Sequence, residues 1–264
     1  MEQSDMYTLN KKQSTMSKWC VTPKPRPNAD VKLICFPYAG GGVSVFYPWV
    51  DLLPDNVELN IIQLPGRGSH FSAEPIADMT SLVESLFSEL APILHSDYIL
   101  FGHSLGSRIG FELIIRAIRA GLKPPLHFFA SGSAGPQRKC FDRKVYELPD
   151  VDFIQELKDM KGTPAEILEN KELIELHLPM LRSDFKVAGE YSYKGNVNIP
   201  SPVTVLFGKD DAISDEEIDM WGMYFSDFSR VECSGGHFFI DTHPHQVIAQ
   251  LNLYFETQLA TNAA

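Results

Sequence analysis

The stretch Tyr98-Ile99-Leu100-Phe101-Gly102-His103-Ser104-Leu105-Gly106-Ser107 decides how this chain folds. Its first four residues are apolar and read as a short buried strand. From Leu105 to about Ala120 the pattern is helical, and it stops at Gly121 with Pro124 and Pro125 beyond. A serine caught between strand and helix, with glycine two places before and two after, marks a sharp turn that tolerates only hydrogen beside it. Such a turn lifts the Ser104 hydroxyl above a sheet, near the positive end of the following helix. A glycine-rich phosphate loop is the rival reading, but the chain has neither a P-loop lysine nor a full GxGxxG.

Working outward, strands and helices alternate. Lys32–Phe36 and Val57–Leu64 read as strands, each closed by a glycine-rich turn, Pro37–Gly42 and Pro65–Gly68. Val45–Leu53 is expected to be helical. Asp78–Leu94 places Leu82, Leu86 and Leu90 four apart behind Asp78 as N-cap. Leu126–Ala130, Val203–Phe207 and Arg230–Cys233 continue the strands, with helices over Asp215–Met223 and His243–Glu256. The alternation predicts an α/β fold, a mostly parallel sheet covered by helices on both faces. Between about 138 and 200 the rhythm changes. Val151–Met160 and Ala165–Met180 look helical with no strand between them, as in a helical lid inserted over the sheet edge.

A serine hydroxyl needs a base. His237, in Ser234-Gly235-Gly236-His237-Phe238-Phe239, follows the last expected strand, where glycines can turn the chain back over the sheet. His103 is expected to pack beneath the turn. The third member must orient the imidazole, and strand Val203–Phe207 ends in Gly208-Lys209-Asp210-Asp211. Asp211 is the first choice and Asp210 the alternative. The order Ser, Asp, His is the one expected of an α/β-hydrolase. An oxyanion hole would use the backbone amides of Leu105 and of Ala39 or a neighbour in the turn after the first buried strand.

Bulk properties bound the rest. At 264 residues the chain suits one large domain, expected over 29–264, behind a polar leader over 1–28. No run approaches the ~18–20 apolar residues of a membrane span, and no secretory segment opens the chain. The net charge of −11 argues against a nucleic-acid partner. Four cysteines without metal-type spacing suit a reducing cytoplasm, Cys35 as a buried thiol, and no metal site is expected.

Taken together, the motifs resemble the type II thioesterases, stand-alone α/β-hydrolases that serve nonribosomal peptide and polyketide synthases. The medium-chain thioesterase of animal fatty acid synthesis is a relative of these. The matching stretches are Cys35–Gly42 (CFPYAGGG), Leu64–Gly68 (LPGRG) with Glu74-Pro75, Phe101–Ser107, Gly162-Thr163-Pro164, Leu178–Phe185 (LPMLRSDF) and Gly235–Phe239. They cover roughly Leu33 to Phe255. Tyr38 stands where the family often has histidine, and Lys161 where glycine is common. The family's aspartate lies three positions after a glycine, which maps onto Gly208 and Asp211. The resemblance implies hydrolysis of acyl groups from the phosphopantetheine arm of acyl or peptidyl carrier proteins, by a cytoplasmic monomer with no cofactor of its own and a mobile lid. A medium-chain fatty acyl thioesterase, a carboxylesterase, an acyl transferase or cyclase, and a catalytically inactive carrier-docking module are the competing expectations.

Overall fold

Six strands pair in parallel, each connected to the next by a crossover; the central ones are buried on both faces, while the last, at the sheet edge, is largely exposed. The computed structural model describes residues 19–160 and 162–259. Its seven-stranded sheet has β1 (Cys20–Val21), β2 (Val31–Phe36), β3 (Val57–Ile62), β4 (Tyr98–His103), β5 (His127–Ser131), β6 (Ile199–Gly208) and β7 (Phe225–Cys233). Their spatial order is β1-β3-β2-β4-β5-β6-β7, and only the β1–β3 pair is antiparallel. The α/β-hydrolase expectation holds.

Alternate residues of one strand enter different cores, as the two-residue period of a strand requires. Ile34, Phe36 and Leu100 join the cluster under α1 (Met79–Leu94) and α2 (Leu105–Arg119). Leu33, Cys35 and Phe101 join the opposite cluster, with Phe46, Trp49 and the C-terminal helix Pro244–Tyr254. Asp78 caps α1 as expected, its carboxylate accepting from the Ser81 amide at 2.8 Å. All four cysteines are free, and burial raises the Cys35 thiol pKa well above its usual value.

Between β5 and β6 lie α3 (Asp150–Met160), α4 (Ala165–Glu169) and α5 (Lys171–Glu190), the expected helical insertion. It has a small core of its own around Phe153, Leu157, Leu178 and Phe185. The single helix expected over Ala165–Met180 is instead two, because the Asn170 side chain accepts from the Glu172 and Leu173 amides and starts α5 afresh. Val45–Leu53 is not an α-helix either. Two short 3₁₀ turns, Val43–Val45 and Tyr47–Trp49, replace it, with Pro48 lacking the amide a continuous helix would use.

The leader needs correction at its inner boundary. Residues 1–18 lie outside the described residues, but Cys20 and Val21 pair with Ile62 and Ile61, and the Arg26 amide donates to Glu58 at 2.8 Å. From Trp19 onward the segment belongs to the domain. A two-residue strand is too short for its pattern to be read in sequence. Among the described residues, no helix is long and apolar enough to cross a membrane.

The strand order reverses at β2, whose neighbours are β3 on one side and β4 on the other. Such a switch point opens a crevice beyond the carboxyl ends of the strands. The turn after β2 and the turn after β4 flank it, and α2 enters there with almost no clearance. A Cβ placed on Gly106 would lie 2.2 Å from the Phe36 carbonyl oxygen, and one on Gly102 would lie 2.4 Å from Gly106 backbone. By contrast, Gly121 has a positive φ of 78° but open space around it. Gly106→Ala is therefore expected to cost about 3 kcal/mol or more, and Gly121→Ala about 1 kcal/mol. Urea unfolding of the two variants measures the difference, and equal losses would contradict the packing described.

Candidate active site

Ser104 stands between β4 and α2 with φ 55° and ψ −115°, the sole non-glycine residue at positive φ among the described residues. Backbone in that region costs a side-chain-bearing residue on the order of 1–3 kcal/mol. The surroundings hold it there. The Ser104 amide donates to the Ser131 carbonyl at 2.8 Å, and the buried Ser107 hydroxyl donates to the Gly102 and Ser131 carbonyls. As N-cap of α2, Ser104 sits at the helix's positive end.

His237 reaches this hydroxyl from the loop after β7. Its Nε2 lies 3.0 Å from Ser104 Oγ, and its Nδ1 lies 2.9 Å from Asp211 Oδ2. A carboxylate only accepts, so Nδ1 carries the proton and Nε2 is left to accept from the serine. Asp211 is the more enclosed partner, with a side chain 7% exposed against 34% for His237. Its second oxygen accepts from the Ala212 amide at 2.7 Å. Asp210, the alternative, points its carboxylate to solvent and makes no side-chain hydrogen bond among the described residues.

The loops bearing Asp211 and His237 are laced together. Lys209 and Asp210 amides donate to the Cys233 and Gly235 carbonyls. A Cβ on Gly208 would stand 2.5 Å from the Gly236 oxygen, so the glycine three places before Asp211 is there for the close approach of the two loops. His103 ties the same loop from below. The ring is fully buried, and burial holds its pKa well below the usual imidazole value. Because a carbonyl accepts only, the neutral ring donates from Nε2 to the His237 carbonyl at 2.9 Å. Nδ1 then accepts from the Ser131 hydroxyl at 2.9 Å. His103 does pack beneath the turn, but its bond to the His237 backbone was not legible in the sequence.

Ala39 and Leu105 border the same cavity as Ser104, and their amides have no hydrogen-bond partner among the described residues. A buried ion pair fixes the turn that carries Ala39. Arg67 and Asp184, each with a side chain 6% exposed, meet at 2.7 Å. Arg67 also donates to the Gly41 carbonyl at 2.8 Å, and the second Asp184 oxygen accepts from the Gly40 amide at 2.7 Å. The turn after β2, the turn after β3 and helix α5 of the insertion are thereby one unit. Leu181 of α5 packs so close that a Cβ on Gly40 would lie 2.7 Å from it.

Over this floor the insertion helps to line an open cavity of about 490 Å³ with Ser104 and His237 on its wall and Leu157, Met160 and Phe185 among its apolar lining. Residues 31–253 match the family model described as the thioesterase domain. The chain belongs to the thioesterase family. This thioesterase is 35% identical over 237 residues to the gramicidin S biosynthesis protein GrsT of Aneurinibacillus migulanus, covering 89% of this chain and 93% of that one. It is 32% identical to the thioesterase PikA5 of Streptomyces venezuelae, covering 87% and 82%. Among solved structures it is similar to YbtT, the type II thioesterase of the yersiniabactin pathway, with a TM-score of 0.80, 29% identity and coverage of 90% and 98%. The resemblance to type II thioesterases read from the motifs holds, and the thioesterase is a thioester hydrolase.

Two outcomes are expected. Folded His103 stays neutral, whereas an unfolded imidazole takes a proton below its ordinary pKa of 6.5. The unfolded state then binds more protons, so stability present above pH 6.5 is lost as pH falls, by up to about 1.4 kcal/mol per pH unit. His103→Gln keeps a donor for the His237 carbonyl and should flatten the acid limb by one proton, read by urea unfolding at pH 7 and pH 5. Asp184→Asn leaves Arg67 buried without its counter-charge. It should cost about 3–5 kcal/mol and, by releasing the Ala39 turn, lower kcat by tenfold or more in thioester hydrolysis. Unchanged kcat would separate the ion pair from the Ala39 turn.

Proposed function

We propose that Ser104, His237 and Asp211 form the catalytic triad of a thioesterase that clears acyl groups from the phosphopantetheine arm of carrier domains in a nonribosomal peptide or polyketide synthase. The observation that carries the reading is the continuous relay from Asp211 Oδ2 through both His237 nitrogens to Ser104 Oγ, opening onto a cavity with apolar side chains of the insertion on its wall.

His237 Nε2 takes the Ser104 proton as Oγ bonds to the thioester carbonyl carbon. Ala39 and Leu105 amides hold the oxygen, and removing one such donor typically costs about 3 kcal/mol. The carbon–sulfur bond breaks, and the leaving thiolate takes the proton from His237. Water, giving its proton to the same nitrogen, attacks the acyl-serine. The acid departs, Ser104 recovers its proton, and the sum is thioester plus water to acid plus thiol. Asp211 remains ionised and stabilises the imidazolium at each stage.

The cavity beneath the insertion would hold the acyl group. Tyr38, Gly162 and Thr163 border both this cavity and an adjoining surface depression, which makes that side the approach for a long pantetheine arm. Gly162 packs against Phe238, the neighbour of His237, so displacement of the insertion there would widen the approach. In the synthase this chemistry removes stalled or wrong acyl units.

Ser104→Ala should lower turnover of acyl-loaded carrier by about 10⁶ if the triad acts as a unit. Asp211→Asn should harm turnover far more than Asp210→Asn. Single-turnover assays of acyl-carrier thioester, run beside a matched oxygen ester, read both. Unchanged hydrolysis by Ser104→Ala ends the assignment, and a strong oxygen-ester preference ends the carrier reading.

A further inference from the structure

The wall of the acyl cavity contains a cation with no anion to balance it. Arg108 lies one helical turn after Ser104 on α2, a rise of about 6 Å, and borders the cavity although the residue as a whole is only 1% exposed. Its Nη1 donates to the Arg138 carbonyl at 2.6 Å, and its guanidinium lies 5.8 Å from the centre of the Tyr191 ring. Nε is buried with no hydrogen-bond partner, and no carboxylate among the described residues pairs with the group. The acids of the neighbouring elements are engaged elsewhere. Glu112, the next turn along α2, accepts from the Tyr191 hydroxyl at 2.8 Å, and Glu217 pairs with Arg138 at 2.7 Å.

A buried guanidinium without a counter-charge is destabilising, and a ligand that brings the missing oxygens recovers that loss on binding. The planar fork of arginine matches the paired oxygens of a carboxylate. Arg138 and Lys139 also border the cavity, Arg138 already paired with Glu217, while the chain as a whole repels an anion with its net charge of −11. An anion in this cavity depends on a local cation.

We propose that the cavity selects acyl groups whose far end carries a carboxylate, received by Arg108. This rests on the reading of Ser104 as nucleophile and adds a substrate class to it. A short dicarboxylic half-thioester suits two groups that border one cavity from adjacent turns of α2, with its methylenes against the apolar lining.

The probes are glutaryl-pantetheine and its isostere in which an isopropyl group replaces the carboxylate. Wild type should show a kcat/KM ratio, glutaryl over isostere, of about ten or more. In Arg108→Met the ratio should fall at least tenfold, and in Arg108→Lys it should stay above one. A wild-type ratio of one or less overturns the proposal, as does an Arg108→Met ratio equal to wild type. Should Arg108→Met fail to fold, the wild-type and Arg108→Lys ratios decide. Efficient hydrolysis of the isostere with no gain for glutaryl removes the carboxylate preference and leaves the Ser104 chemistry standing. Hydrolysis of neither thioester removes both.

Discussion

Everything in this molecule is arranged around one uncomfortable backbone conformation. Ser104 sits where side-chain-bearing residues rarely do, and it is kept there because the chain before and after it has no room to relax. The contact of Gly106 with the Phe36 carbonyl joins the turn after β4 to the end of β2, so the position of Ser104 and the start of the Ala39 turn are set by one close approach. Displacing either would move the other. The hydroxyl of Ser107 then uses its hydrogen-bonding capacity on β4 and β5, leaving the hydroxyl of Ser104 free for His237.

The imidazole is restrained as firmly as the serine. Asp211 holds one ring nitrogen, the Gly208–Gly236 approach holds the loop, and His103 holds the backbone carbonyl of His237. In the proposed reaction, an imidazole fixed from three directions offers the same nitrogen to the serine, to the leaving sulfur and to water. The proposed reaction needs no rearrangement of the protein between its two halves.

What the sequence revealed follows from how local each signal is. The strand, the glycines and the helix around Ser104 lie within a few residues, and so does the glycine pair before His237. Asp211 and Asp210 share one turn, and nothing local tells which faces the imidazole; the fold separates them by burying one and exposing the other. The Arg67–Asp184 pair spans 117 residues of sequence. The LPGRG and LPMLRSDF stretches were recognisable as family motifs, but their meeting at Gly40 and Gly41 exists only in three dimensions. The short antiparallel strand at Cys20 and the break at Asn170 were missed for the opposite reason: each is too brief for a periodic pattern to register.

The ion pair also bears on how this enzyme can be re-engineered. Helix α5 is at once part of the wall of the cavity beside Ser104 and one jaw of a bracket whose other parts, Gly40 and Arg67, belong to the turns after β2 and β3. The insertion is thus not a detachable cassette. A chimaera that borrows a foreign roof to gain a new substrate must import a carboxylate at the place of Asp184, or the graft will dismantle the very cradle that its new substrate needs.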